Sequence, residues 1–474
     1  MRKILLLLLS AFLLFSCPGP ESEQEGLPDL SGNITITPNG GSIGVTLEAN
    51  YTGDEDISYQ WNEGGEAIND GTAKTYKATT VGSYTVTVSA EGYKSKTSEA
   101  VAVTGDAPVT SAMDFVMAMK IGWNLGNTLD GHNNMMPNET GWQNTRTTQA
   151  LMDGVAARGF GAVRIPVTWG LKIGAAPDYT IDAAWMARVA EVVGYVENAG
   201  MKAIINIHHD GADSHDWISL KAADLTGAFK EEMDAKFTAV WRQIATHFKD
   251  HGNFLLFEAF NELHDGNWTD GTSAQRNRIN ELGQIFVNTV RAVGGKNAER
   301  FLVIPGWATR PSVTASSLVL PTDTVEDRLI VTIHFYDPYP FTGSATQNTW
   351  GEAAIPGNWG NEANVQNNFN PIRNKYTNRG VPVIVGEYGA VNQSGDGFLY
   401  RKYYMEYVTK YAHDCKFVPF YWDNAGFGSG SEKFGLIRRS DGSAYDAGAQ
   451  QILDVMMKAV TQDYLITSIV PPSP

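Results

Sequence analysis

The sequence predicts an α/β protein, a (β/α)8 TIM barrel preceded by a small all-β, immunoglobulin-like sandwich domain. Three observations carry this expectation. The 474 residues exceed what one ordinary core supports and suit one small domain plus one of barrel size. With 43% hydrophobic and 19% charged residues, the chain can fill packed cores and has none of the composition of global disorder. Near residue 111 the apolar pattern changes, from alternation before it to short solid runs separated by helix-like stretches after it.

Residues 1–16, MRKILLLLLSAFLLFS, place two cations before an apolar run, which is the layout of an export signal. The run is too short to be preferred as a permanent membrane span, and no later stretch is long and apolar enough. Leu-Phe-Ser-Cys resembles a bacterial lipobox, so Cys17 is the expected lipidation site, although Phe15 is bulkier than that pattern usually has. The expected location is therefore a cell-surface or outer-membrane-anchored lipoprotein, otherwise a secreted protein. Residues 17–29 are polar and acidic at their start and read as a flexible tether. If Cys17 is lipidated, Cys415 is the one remaining thiol, no intrachain disulfide is possible, and Cys415 reads as a packing residue.

From residue 30 to 104, NITITP, SIGVTLEANY, ISYQW, GSYTVTVSA and EAVAVTG alternate Val, Ile, Thr and Tyr between turn formers, as the strands of a sandwich do. Trp61 suits its core better than an exposed sugar platform. Residues 105–111 form a turn-rich linker, and residues 112–460 supply eight apolar runs: KIGWN ending at Asn124, GAVRI 161–165, KAIINI 202–207, FLLFEAF 254–260, RFLVIP 300–305, RLIVTI 328–333, PVIVGE 382–387 and KFVPFYW 416–422. Stretches such as RTTQALMDGVAARG and AAWMARVAEVVGYVENAG between them have apolar residues at three and four spacing and end in Gly. Eight strands alternating with helices predict the barrel. Residues 461–474 remain as a C-terminal tail.

The C-terminal ends of barrel strands line one mouth, where the chemistry of such folds resides. Here those ends carry Trp123 and Asn124, Arg164, His208 and His209, Asn261 and Glu262, Trp307, His334 and Tyr336, Glu387, and Trp422. The two carboxylates Glu262 and Glu387 end strands four and seven, across the pore from each other, which suits a bond held between them and the two-carboxylate chemistry of glycoside hydrolysis. An ion pair of Glu387 with Arg164 is the structural alternative.

In order and spacing, WNLGNTLD, VRIPVTW, INIHHD, FEAFNE, IHFYDPY, VGEYG and YWDN resemble glycoside hydrolase family 5, most closely its subfamily 4 of endo-glucanases and xyloglucanases, over residues 112 to about 460. The resemblance implies a retaining endo-β-1,4-glucanase acting on internal bonds of β-glucans by double displacement, with Glu262 as acid/base and Glu387 as nucleophile. Arg164 and Tyr336 are expected to bond Glu387 and hold its pKa low, His334 to sit near Glu262, and the neighbours of Glu262 to raise its pKa. Asn261 is expected at the sugar 2-hydroxyl, His208 and His209 at the same sugar, Trp422 beneath it, and Asn127 among the substrate-binding residues. Trp123, Trp307, Trp350 and Trp359 are candidate extensions of the aromatic platform, the last two because NTWGEAAIPGNWG reads as a mouth loop.

Formal net charge is −16, and loss of Arg2 and Lys3 with the leader makes it more negative, which disfavours nucleic acid and anionic lipid as partners. The expected partner is a neutral β-glucan polysaccharide, with membrane contact only through a lipid on Cys17 and the chain a monomer. No cofactor and no metal are expected, since no Asp or Cys cluster at ligand spacing accompanies the histidines. Two other readings stay open on residues alone: a non-catalytic glycan-binding surface lipoprotein, and a metal-dependent barrel hydrolase built on His208, His209 and His334.

Overall fold

A computed structural model describes residues 26–473 except 43–44, 105–110, 135, 144, 212–216, 358 and 394. The expected leader, Cys17 and nearly all of the linker lie outside the described residues. The chain divides into two compact units, Met1–Ala107 and Pro108–Pro474. No described helix is long and apolar enough to cross a membrane.

The first unit is all-β. Ile34–Thr37, Thr46–Tyr51 and Thr75–Lys77 form one antiparallel sheet. In the second sheet Gly82–Ser89 lies between Ser58–Glu63 and Val101–Thr104, antiparallel to both. Strand alternation sends Tyr84, Val86 and Val88 inward, where they share a core with Ile34, Ile36, Leu47, Ala49 and Trp61 of both sheets. Trp61 is fully buried and donates Nε1–H to the Ala73 carbonyl, so it is a packing residue. The Lys94 amide bonds the Pro28 carbonyl and Asp29 pairs with Lys94, which ties residues 28 and 29 to this unit.

The second unit is a closed barrel of eight strands, each parallel to its neighbours: β1 Gly122–Leu125, β2 Ala162–Ile165, β3 Lys202–Asn206, β4 Leu255–Glu258, β5 Leu302–Pro305, β6 Leu329–Phe335, β7 Val383–Tyr388 and β8 Phe417–Asp423. Every expected run contains one of these strands or overlaps it closely. The helices that follow them in turn are α1 Gln149–Ala157, α2 Ala183–Asn198, α3 Gly227–His247, α4 Ser273–Val293, α5 Pro311–Ser317, α6 Glu362–Lys375, α7 Gly397–Asp414 and α8 Ala447–Thr461. Asp182 caps α2 by accepting from the Trp185 amide, and Gly159 and Gly200, just past α1 and α2, have the positive φ of helix stops.

Side-chain alternation sorts the strands into an outer and an inner set. The outer set, including Trp123, Val163, Ile205, Phe257, Ile304, Val331, Val385 and Tyr421, packs with the helices in one large core. The inner set, Ala162, Ile204, Leu256, Val303, Ile330, Ile384, Val418 and Phe420, closes the barrel bottom against Phe115, Val116 and Met119 of the N-terminal segment. Two residues further along the same phase come Asn124, Arg164, Asn206, Glu258 and Trp422, so a polar and aromatic layer sits directly above an apolar plug. Cys415 is buried among the outer set, and burial pushes its thiol up to about 12.

Candidate active site

Simple alternation along β7 would turn Glu387 outward, away from Ile384. The register with β6 shifts instead, pairing Ile333 with Val385 and His334 with Glu387, so Gly386 is the extra residue of a bulge. A bulge re-aims side chains, and Glu387 turns into the mouth. Gly386 is required there: a Cβ would lie 2.5 Å from Thr332 Oγ1 and 3.0 Å from His334 Nε2.

Both oxygens of Glu387 are held. Arg164 Nη1 donates to Oε1 at 2.7 Å and the Tyr336 hydroxyl donates to Oε2 at 3.0 Å. Across the mouth Glu262, in the loop after β4, meets His334 Nδ1 at 2.6 Å and accepts from Thr309 Oγ1 at 3.4 Å. One oxygen of each glutamate and a ring nitrogen of His334 lie within 4.8 Å of one another. The glutamates differ in solvent access, the Glu262 side chain being 21% exposed and that of Glu387 7%.

Burial is the dominant influence on Glu387 and raises its pKa above the ordinary carboxylate range; His334 and Arg164 oppose it. This corrects the expectation that Arg164 holds Glu387 low, because removing the carboxylate from water outweighs its cation. Burial also opposes the Arg164 charge, but Glu258 and Glu387 overcome that and keep the guanidinium protonated. His334 is lowered to about 4 and His209 to about 3, and His208 well below its usual value, each chiefly by burial. All three are neutral imidazoles at neutral pH, so the contact of His334 with Glu262 is a hydrogen bond between a neutral ring and a carboxyl. The Tyr336 phenol, raised far up by burial and by Glu387, stays a donor.

Asn261 accepts at its side-chain oxygen from Arg164 Nη2 at 2.7 Å, which leaves its amide N–H groups for the cavity. The ring of His208, fixed by Asn206 at Nδ1, lies parallel to Trp422 at 6.0 Å between centroids, with Nε2 4.0 Å from Glu387. Half-buried Asn127 holds a left-handed turn whose amide bonds Asp130. His209 and Trp142 follow His208 outward, at ring separations of 4.4 and 5.3 Å.

Three of the four candidate platform tryptophans are not in the groove. Trp123 belongs to the outer set, fully buried under the Arg439 guanidinium with Nε1–H on Asp423, because it is one residue out of phase with Asn124. Trp307 is 1% exposed and braces the loop after β4 by bonding the Thr269 carbonyl. Trp350 is 1% exposed, wedged among Tyr403, Tyr404 and Tyr407 of α7, with Nε1–H on the Gly360 carbonyl. Trp359 is exposed. The exposed aromatics Trp142 and Trp268, and the buried Asn206 and Glu258, had not been expected; a polar residue near the end of an otherwise apolar run, as in KAIIN and LLFE, is the signal that marks the latter two.

Among the described residues, His208 and His209 come within ligand spacing of Asp130, and His334 of the two glutamates, so the three histidines do not form one metal-type group. Asp130 is already engaged by the amides of Asn127 and Thr128.

Paired carboxylates at the C-terminal mouth of an eight-stranded barrel, ringed by Arg, Asn, His, Tyr and Trp, define a barrel hydrolase of the glycosidase class. The chain belongs to glycoside hydrolase family 5: the family profile described as Cellulase (glycosyl hydrolase family 5) matches residues 126–428. It is 34% identical over 398 residues to Endoglucanase A of Paenibacillus barcinonensis, spanning 80% of this chain and 96% of that one. It is 34% identical over 367 residues to a xyloglucan-specific endo-beta-1,4-glucanase of Bacteroides ovatus, spanning 73% and 70%. A solved GH5-4 broad specificity endoglucanase from Bacteroides salanitronis matches with TM-score 0.71 at 44% identity, covering 74% of this chain and 96% of that one. The protein is a glycoside hydrolase whose relatives are endoglucanases and xyloglucanases.

Proposed function

We propose that the protein is a retaining endo-β-1,4-glucanase that cleaves internal bonds of xyloglucan, mixed-linkage glucan or cellulose-like chains. The observation that carries this reading is the approach of Glu262 and Glu387 to within 4.8 Å, oxygen to oxygen, in environments that differ. Retaining pairs stand about 5 Å apart, whereas inverting pairs leave room for a water at roughly 6.5–9.5 Å.

Glu387 attacks the anomeric carbon, forming a C1–Oε bond as the C1–O4 bond breaks, and Glu262 gives its proton to the departing O4. Glu262, now ionised, takes a proton from water as that water attacks C1, and the C1–Oε bond breaks to release a β-anomer. Arg164 and Tyr336 hold both Glu387 oxygens, so the carboxylate needs little reorganisation to attack. The free N–H groups of Asn261 face the 2-hydroxyl, where a bond strengthens as positive charge develops on the ring. Trp422 and neutral His208 form the surface on which that sugar lies. The sequence also supports export and anchoring through Cys17, which extraction of labelled lipid with the protein would test.

Glu262→Gln and Glu387→Gln should each lower reducing-sugar release by at least about 10³-fold with the melting temperature retained. The first-formed anomer, followed by proton NMR on a soluble β-glucan, should be β. An α product, or near-normal turnover by either variant, would defeat the proposal. A panel of xyloglucan, lichenan, carboxymethyl cellulose, mannan and xylan then ranks the polymers by rate and product length.

A further inference from the structure

Among the buried carboxylates that the double-displacement scheme leaves unused, Glu258 shares the arginine that holds Glu387. Glu258, at the end of β4, is completely buried and lies in the polar layer of the barrel. Arg164 grips it with two nitrogens, Nε to Oε2 at 2.7 Å and Nη2 to Oε1 at 3.2 Å, and Asn206 adds a bond to Oε2 at 3.1 Å. The same guanidinium gives Nη1 to Glu387 and Asn124, and shares Nη2 with Asn261. Five N–H bonds thus tie one cation to β1, β4, the loop after β4, and β7.

Two buried carboxylates therefore share one arginine, and the sharing is unequal, two bonds against one. A buried cation needs only one carboxylate for neutrality, and each further buried charge is expensive. With Arg164 paired to Glu387 alone, the nucleophile would be a quenched ion pair, its electron density drawn to the guanidinium. We propose that Glu258 is a positioning residue for the hydrolysis: it anchors the Arg164 fork and takes the greater share of its charge, so that Glu387 stays aimed and basic. This rests on Glu387 being the nucleophile.

The charged and titratable groups facing Glu387 are Arg164 of β2, His208 after β3, Glu258 of β4 through Arg164, Glu262, and His334 and Tyr336 of β6 and its following turn. On the remaining side β1 and β8 present Asn124 and Trp422, which carry no charge. The histidines and the phenol are neutral at working pH, so Glu258 is the strongest handle on the Arg164–Glu387 balance besides Glu262. Neutralising it removes a nearby negative charge and releases Arg164 to Glu387, and both changes stabilise the Glu387 carboxylate.

The test uses the full chain. A 2-deoxy-2-fluoro glycoside with a good leaving group traps a carboxylate nucleophile as a stable ester, and the pH dependence of trapping reads Glu387 directly. Trapping of the wild-type protein tests the nucleophile assignment by itself; its failure would remove that reading before Glu258 is at issue. Glu258→Gln should move the acid limb of trapping and of kcat/KM to lower pH by about one unit and slow trapping about 10²-fold. Glu258→Asp, which keeps the charge but shortens the reach, should leave the limb in place and lose rate only. Asn206→Asp, should Glu258→Gln fail to fold, adds negative charge beside Glu258 and should move the limb to higher pH. A folded Glu258→Gln with an unmoved limb, or an Asn206→Asp limb unchanged from wild type, overturns the proposal.

Discussion

The two oxygens of Glu387 have different keepers, a cation on Oε1 and a phenol on Oε2, and the difference makes each separately testable. A hydrogen bond to a charged group contributes about 1.5–3 kcal/mol, so Tyr336→Phe should lower kcat/KM by about 10–100-fold while unfolding is unchanged. A near-normal rate would show that Arg164 alone aims the carboxylate. Burial fixes the sign of the pH response. Glu387 has a raised pKa, so as pH falls it takes up a proton sooner than an exposed glutamate, and the carboxylate proposed to attack is lost. The acid limb of kcat/KM should therefore lie above the ordinary carboxylate range; a limb within that range would mean that Arg164 and His334 outweigh burial after all.

At the scale of elements, β7 and the loop after β6 sort side chains between burial and exposure. The bulge at Gly386 lets two successive positions of β7 serve the interior, the glycine filling the space beneath His334 and the glutamate reaching the mouth. In the loop after β6, two tryptophans nine residues apart have opposite fates, Trp350 anchoring the loop to α7 and Trp359 standing in solvent. Trp350→Ala should destabilise the fold by about 3–5 kcal/mol, read by denaturant unfolding, with little change in KM for the molecules that remain folded. Trp359→Ala should leave stability within about 0.5 kcal/mol, and a raised KM for polymer would assign it to the substrate path. Equal stability of the two variants would contradict the burial that separates them.

At the scale of the whole chain, the two units have separate cores, and every residue placed in the site belongs to Pro108–Pro474. A chain beginning at Pro108 should fold and hydrolyse soluble β-glucan with unchanged kcat/KM. Loss of activity in that chain, with a cooperative unfolding transition retained, would show that the first unit contributes to catalysis. The eight barrel strands and the order of their chemical ends were legible because a parallel barrel writes a distinctive signal, short apolar runs that each end in a turn carrying a functional side chain. Glu262, Glu387, Arg164, Asn261, His334 and Tyr336 could be named on that pattern and on the family motifs together.

The phase of each run was not legible, and most differences trace to it. Both faces of a barrel strand are buried, one by the barrel interior and one by the helices, so a run such as KIGWN lacks a clear alternation and does not show which of its neighbours points inward. Hence Trp123 was expected in the mouth and stands among the helices, and Glu258 went unnoticed inside FLLFEAF although it shares the arginine of the site. The bulge on β7 is likewise a property of pairing between two strands, which neither strand displays alone. The sequence by itself determined the architecture and the identity of the paired glutamates, because strand length, spacing and residue type are local. Which side chains face the mouth, and how one guanidinium divides its hydrogen bonds between two carboxylates, only the closed barrel decided, because those depend on distances between residues far apart in the chain.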